Sequence, residues 1–284
     1  MTEVLVYATA SRAQTARRLL GAACQATGID VRLELYGSGS LYQRLGPRHA
    51  PPLPDLVVWF GAFAAAAAAN DGLLQPYQPS SVAAAAVHDP KWRWTTLDYA
   101  PIGVVGSARV NSLEDLASVP ALAIADPERS EVGLSILLAT LDRARQVEKD
   151  VERGWRWWQQ RAQRGLELAE DDAGAVARVG EGGATHALSL AETGAPLPGV
   201  APLANAVGLA TSSRNPDAAR RVLDWLTDDA AADMLKLSPW RAASSGLQAL
   251  LSAAPPMDID WCRQQYTPTR LRWSQGAFAP KVKH

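Results

Sequence analysis

The sequence predicts an α/β chain folded as two doubly wound lobes, and three observations lead there. The chain has 284 residues, too many for one compact core and about right for two lobes of ordinary domain size. Short β-branched apolar runs alternate with stretches of helical period, the order that puts helices over a mostly parallel sheet. The run Leu56 to Phe60 is apolar throughout, as expected of a strand buried on both faces.

The first lobe opens with the strand Val4 to Tyr7. The helix Arg12 to Ala26 follows, with Ala16, Leu19, Leu20 and Ala23 at helical spacing. Asp30 to Tyr36 is a second strand, followed by the loop Gly37-Ser38-Gly39-Ser40 and a helix over LYQRL. The third strand, Leu56 to Phe60, leads into a helix over Ala62 to Asn70, stopped at Asp71-Gly72 because glycine readily takes the left-handed conformation at a helix C-terminus. Three strand-loop-helix units in sequence imply right-handed crossovers. In such sheets ligands sit beyond the carboxyl ends of the strands.

A long strand over APIGVVGS, from about Tyr99 to Ser107, leaves this lobe. The second lobe then takes a short helix at Leu113 to Leu116, a strand at Ala121 to Ala125, the loop Asp126 to Ser130 and a helix over Val132 to Leu141. The helix with Trp155, Trp157 and Trp158, the segment Ala173 to Val179 and the strand Thr185 to Leu190 complete it. The strand Asn205 to Thr211 returns to the first lobe. Asn215-Pro216 then gives an N-cap with proline at the first helical position, and Ala219, Val222, Leu223 and Leu226 form an apolar stripe. A final helix runs through Trp261 and Trp273. The lobes are expected at 1–102 with 203–245 and at 103–202 with 246–284, joined by hinge strands near Gly103 to Ser107 and Ala201 to Val207.

A chain that is 48% hydrophobic and 20% charged is a folded protein rather than a disordered one. Its net charge of −1 gives no global field, so nucleic acid is not an expected partner and charge selectivity must be local. No apolar run approaches the ~20 residues that span a bilayer. The opening MTEVLVYATA goes straight into strand-like sequence without a leader, so either the chain is cytosolic or it is a mature form whose export signal has been replaced by a start methionine. Cys24 and Cys262 are too far apart for a CxxC motif. They read as two buried free thiols or, in an oxidising compartment, as one long-range disulfide.

The Gly37-Ser38-Gly39-Ser40 loop joins a strand to a helix start and supplies amides and hydroxyls, which suits a phosphate, phosphonate, sulfonate or carboxylate group. It also reads as a tight turn with serine caps. It is not a nucleotide P-loop, because no Gly-Lys-Ser/Thr follows. Asp126 and Ser130 hold capping positions in a second strand-to-helix loop. Trp59 ends a buried strand at the ligand-facing edge, whereas most of the other tryptophans lie in core stripes. His49, His88, His186 and His284 are scattered without metal-ligand spacing, so no metal and no cofactor is expected. No Gly-x-Ser-x-Gly elbow and no Ser, His and Asp set is visible, so no catalytic residue is assigned. Asp126 with His186 is the one acid-base pair an enzyme on this fold could use.

The order of segments resembles the substrate-binding proteins of ABC importers, in the group that includes ferric-iron, thiamine and 2-aminoethylphosphonate receptors. VLVYATAS, YGSGSLYQRL, PDLVVWF with NDGLLQPYQP, ALAIADPERSEVG, ARVGEGGATHALSL, SRNPDAARRVLDWL and MDIDWCRQQYTPTRLRW carry the resemblance in the family's order. It implies a type II periplasmic-binding fold with a ligand cleft between the lobes. Two departures bear on the ligand. Iron receptors of the group carry adjacent tyrosines after the strand that here reads HALSLAETG, and this chain has Ser189, Glu192 and Thr193 there, which disfavours ferric iron. The usual Ser-Gly-Thr-Gly after Asp-Pro is Ser130-Glu131-Val132-Gly133 here, so Glu131 either points to solvent or meets an ammonium group.

The expected protein is an extracytoplasmic or periplasmic receptor of an ABC importer, monomeric, that traps a small anionic or zwitterionic solute of phosphonate, phosphate-ester or carboxylate type by hinge closure. It would hand that solute to the permease subunits in the membrane. The expected ligand-binding residues are Ser11, Gly37, Ser38, Gly39, Ser40 and Trp59 from the first lobe. Asp126, Ser130, Asp172, Ala173 and Ser189 would bind from the second. Rival readings are an Fe(III) or thiamine receptor, an enzyme on the same fold, and a regulatory effector-binding module.

Overall fold

The computed structural model describes residues 3–36, 38–46, 52–82, 87–106, 110–190, 195–197, 200, 202–236, 241–242 and 257–276. In chain order the strands are β1 (Glu3–Thr9), β2 (Asp30–Tyr36), β3 (Leu56–Gly61), β4 (Leu74–Gln75), β5 (Thr95–Ala100), β6 (Ile102–Gly106), β7 (Leu122–Ala125), β8 (Leu166–Ala169), β9 (His186–Leu190), β10 (Ala195–Pro196), β11 (Leu203–Ala210) and β12 (Arg241–Ala242). The helices are α1 (Ala13–Thr27), α2 (Ser38–Leu45), α3 (Ala62–Asn70), α4 (Leu113–Leu116), α5 (Glu131–Val147), α6 (Val151–Gly165), α7 (Asp172–Gly180), α8 (Pro216–Leu226), α9 (Asp229–Lys236) and α10 (Ile259–Gln275). The chain divides into two compact units, Met1–Ala100 with Ala204–Leu247 and Pro101–Leu203 with Gln248–His284. The fold is the mixed α/β arrangement that the sequence predicts.

Unit 1 is built on a sheet ordered β12-β5-β11-β3-β1-β2, with β4 pairing β11. β1 runs parallel to β2 and β3, while β11 is antiparallel to β3, so the sheet is mixed rather than wholly parallel. Side chains alternate across a strand, which sends Val4, Val6 and Ala8 of β1 to one face. There they meet Leu19 and Leu20 of α1 and the predicted stripe Ala219, Val222, Leu223 and Leu226 of α8. Asn215 precedes α8, but its side chain makes no cap bond and donates instead to the Glu3 carbonyl. Asp55 holds this end of the sheet: its buried carboxylate accepts from Leu5 N, Ser213 Oγ, Arg214 N and Asn215 N at 2.7–3.1 Å. Gly72, at φ +72°, provides the left-handed turn after α3 that the sequence anticipates.

Unit 2 is built on a five-stranded sheet ordered β10-β6-β9-β7-β8. β7 is parallel to both β8 and β9, and β6 is antiparallel to β9. The predicted single strand over APIGVVGS is instead two, β5 in the first sheet and β6 in the second, separated at Pro101. Proline has no N–H to give a ladder, so a central strand breaks there. β8 has no counterpart among the predicted strands, because four residues with one charge show too little alternation.

Trp155 and Trp158 are buried on α6, as their helical spacing predicts. The Trp158 indole donates to Thr140 Oγ1 at 2.8 Å and meets the Trp273 ring edge-on at 5.8 Å. Arg161, fully buried, donates to the carbonyls of Val119 and Gly165. α10 docks on α5 through Asp142, which accepts from Arg145, from Gln146 and from Asp258 N. Asp258 Oδ2 accepts from Arg145 in turn at 2.8 Å. Cys24 and Cys262 are free thiols, not a disulfide. Burial, with Asp142 and Asp258 nearby, pushes the Cys262 thiol well up. No helix among the described residues is long and apolar enough to cross a membrane.

Candidate functional site

In unit 2 the carboxyl ends of the parallel strands β7, β8 and β9 lie at one sheet edge, with the 126–130 connection and the start of α7. Asp126 N donates to Ala169 O at 2.8 Å, which ties the end of β7 to the end of β8. Ser130 is the N-cap of the 17-residue α5, accepting from Gly133 N at 3.3 Å. A Cβ on Gly133 would lie 2.0 Å from the Ala125 carbonyl oxygen. Only glycine therefore lets the first turn of α5 rest against the end of β7.

Asp171 is the N-cap of α7, accepting from Gly174 N at 2.8 Å. Asp172 and Ala173 belong to the first turn of α7. Ser189 Oγ donates to Asp172 Oδ2 at 3.0 Å, and Leu190 N donates to the same carboxylate, so this buried serine and this aspartate lock α7 to β9. Asp126 accepts from Glu128 N at 3.0 Å and from the Trp273 indole at 3.3 Å. Of the predicted residues, Asp126, Ser130, Asp172, Ala173 and Ser189 do share one sheet edge. Their side chains chiefly shape that edge, and the backbone amides of the helix N-termini carry its positive polarity.

Glu131 is the feature the sequence left open. Its side chain is 4% exposed, so it does not point to solvent. Burial holds its carboxyl well above the ordinary value, and the charge of Arg270 opposes this.

In unit 1 the carboxyl ends of β1, β2 and β3 lead to a 3-10 turn at Ala10–Arg12, to α2 and to α3. Ser11 lies on that turn. Ser38, Gly39 and Ser40 form the first turn of α2 rather than a loop. The first four N–H groups of a helix need no helical partner, so a short polar segment can start the helix here without giving up a bond. Gly37 lies outside the described residues. So do the side chains of Ser11, Ser38, Ser40 and Trp59, the last on β3.

Sequence reading missed a buried network at the same edge. Arg12, 2% exposed, donates from Nη2 to Asp98, which is fully buried. Asn205 Nδ2 donates to Asp98 Oδ1 at 2.8 Å. Asp98 sits on β5 and Asn205 on β11, the two strands at which the chain leaves and re-enters unit 1. The signal was present in TTLDYA, a strand buried at every position yet carrying an acid. A buried carboxylate demands a partner.

The acid-base pair weighed for an enzyme is not assembled. His186 pairs with Leu122, the first residue of β7, whereas Asp126 follows its last. The two are separated by about 13 Å along the strand. His186 is buried, bonded to Thr185 Oγ1 at 3.1 Å, and a Cβ on Gly106 would strike its ring. Among the described residues no three His, Cys, Asp or Glu side chains are grouped to hold a metal ion.

Comparison with known proteins agrees with this architecture. No curated protein matches the chain. The sequence matches the family described as bacterial extracellular solute-binding protein over residues 4–238. Among solved structures, the fructose-6-phosphate-bound periplasmic binding protein AfuA from Actinobacillus pleuropneumoniae superimposes with a TM-score of 0.81 at 13% identity, covering 96% of this chain and 97% of that one. The substrate-binding protein of an ABC transporter from Agrobacterium tumefaciens gives 0.79 at 14% identity, with 96% and 93% covered. Iron-bound HitA from Pseudomonas aeruginosa gives 0.77 at 15% identity, with 95% and 99% covered. At such identities these likenesses speak for the fold alone. Residues 4–238 are most of the chain, and so this protein belongs to the bacterial extracellular solute-binding proteins, on the type II periplasmic-binding fold.

Proposed function

We propose that this receptor binds a small anionic or zwitterionic solute of phosphonate, phosphate-ester or carboxylate type and delivers it to membrane permease subunits outside the cytoplasm. The observation that carries the reading is the sheet edge of unit 2. There Ser130 and Asp171 cap two helices whose N-termini open at the ends of parallel strands, an arrangement that favours negative charge. Ser11, Gly37, Ser38, Gly39, Ser40 and Trp59 supply the complementary edge of unit 1. Asp126, Ser130, Asp172, Ala173 and Ser189 frame the edge of unit 2. The solute draws the two units together, since contacts made only in a closed form shift the population toward it. The protein turns over no substrate and acts as a monomer with one solute per chain.

The test is a thermal-shift and calorimetric series with 2-aminoethylphosphonate, fructose 6-phosphate, inorganic phosphate, citrate, an alkyl sulfonate, thiamine and Fe(III). A stabilisation of about 2.7 kcal/mol is expected when a true solute stands at 100 times its Kd. Stabilisation by Fe(III) or thiamine alone overturns the anion reading. Chemical conversion of a bound compound on long incubation overturns the receptor reading.

A further inference from the structure

α10 reaches the candidate solute loop. Arg270 donates to the Glu128 carbonyl through Nε at 3.0 Å and through Nη2 at 2.5 Å, a two-pronged grip on the middle of the 126–130 connection. One turn further along α10, the Trp273 indole donates to Asp126 Oδ1 at 3.3 Å. That indole also meets the Trp158 ring edge-on at 5.8 Å, and the Arg270 guanidinium lies over the Tyr266 ring at 6.0 Å. Both residues are therefore positioned by packing before they touch the loop.

α10 has a separate anchor. Asp258 caps it, accepting from Trp261 N at 3.0 Å, and pairs with Arg145 of α5. Twelve residues, or about 18 Å of helix, separate Asp258 from Arg270. The anchor at one end can hold the helix while the other end acts on the loop. Within the loop, Arg129 N and Ser130 N both donate to Asp126 O, at 3.0 and 2.7 Å, and Glu128 N donates to Asp126 Oδ1. None of them fixes where the Glu128 carbonyl points.

We propose that α10 is the positioning element of the 126–130 loop, with Arg270 as the residue that sets the loop's conformation and Trp273 as its second brace. The proposal rests on the reading of that loop as part of the solute site. Arg270 acts through the loop: it holds the N-cap Ser130 and the first amides of α5 in the orientation in which they meet an anion.

Hydrogen exchange on the full-length chain, with no ligand present, tests the positioning directly. In Arg270→Ala the amides of Arg129, Ser130 and Gly133 are expected to exchange about tenfold faster, because local openings need break fewer bonds. Amides in the middle of α5 and on β7 should keep their rates, and Tm should stay unchanged. Arg270→Lys, which restores one donor to Glu128 O, should recover much of the protection, and Trp273→Phe should give a smaller increase confined to the same amides.

Unchanged loop exchange in Arg270→Ala overturns the proposal. So does a rise spread over α5 and α10 with a lower Tm, which is the signature of a merely structural bond. A second measurement is calorimetry with 2-aminoethylphosphonate, for which Arg270→Ala should weaken binding by about tenfold and Arg270→Lys by less. If the unmodified protein binds neither this compound nor fructose 6-phosphate, the solute reading fails, and the exchange data still decide the role of α10.

Discussion

Glu131 shows how one buried group ties stability to pH. Its carboxyl keeps the proton in the folded chain to a pH well above the ordinary value near 4.5, while the unfolded chain releases it near that value. The folded state then binds more protons, and stability falls as pH rises above about 4.5. Glu131→Gln removes the ionisation. Its stability relative to the unmodified chain should grow from pH 5 upward by as much as about 1.4 kcal/mol per pH unit until the folded carboxyl ionises. Urea denaturation at pH 5, 6, 7 and 8 measures this, and parallel curves for the two proteins would contradict it. Asp98 is a buried acid of a different kind, paired with Arg12 and bonded to Asn205. Asp98→Ala strands the Arg12 guanidinium without that partner and should cost about 3–5 kcal/mol. A loss under 1 kcal/mol in urea would show that the pair is not the tie between the turn after β1 and β5.

At the scale of elements, periodicity located most of the helices and strands, and it did so where one face is apolar. α8 is the clearest example: all four residues of its predicted stripe are buried. Periodicity failed where bonds across the sheet decide the outcome. Leu166 to Ala169 becomes β8 because Ala125 and Ala169 pair in register beside β7. The polar Ser38-Gly39-Ser40 segment enters α2 because the first turn of a helix leaves its amides free for other partners. α10 depends on its cap more than on periodicity, since Pro268 interrupts it and proline is unfavourable in a helix interior. Asp258→Ala removes both the cap and the Arg145 pair and should destabilise the chain by about 1–2 kcal/mol. Asp258→Asn, which caps as well, should keep most of that stability. Equal losses in the two variants, measured by urea midpoint, would assign the effect to the ion pair.

At the scale of the molecule, each unit is assembled from two stretches of chain. β11, far along the sequence, lies between β5 and β3 in the sheet of unit 1, and α8 covers α1. A fragment of residues 1–202 therefore lacks a central strand and one wall of its first core. It should show little cooperative unfolding by circular dichroism, even though it holds more than two-thirds of the chain. A sharp two-state transition in that fragment would contradict the account. The chain passes between the two units at Ala100–Pro101 and at Leu203–Ala204.

The sequence by itself determined the α/β class, the order of strand-loop-helix units, the buried stripes of α1 and α8, and a family resemblance that the match over residues 4–238 upholds. Each of these depends on local spacing or on the order of segments, which the linear chain carries in full. Only the tertiary structure decided that Asp98 is fully buried against Arg12, that Glu131 is sealed from solvent, that Asp126 and His186 lie at opposite ends of β7, and that α10 grips the 126–130 loop. Those facts arise between residues up to 147 positions apart. Register, burial and the reach of a side chain set them, and none of the three leaves a periodic mark in the sequence.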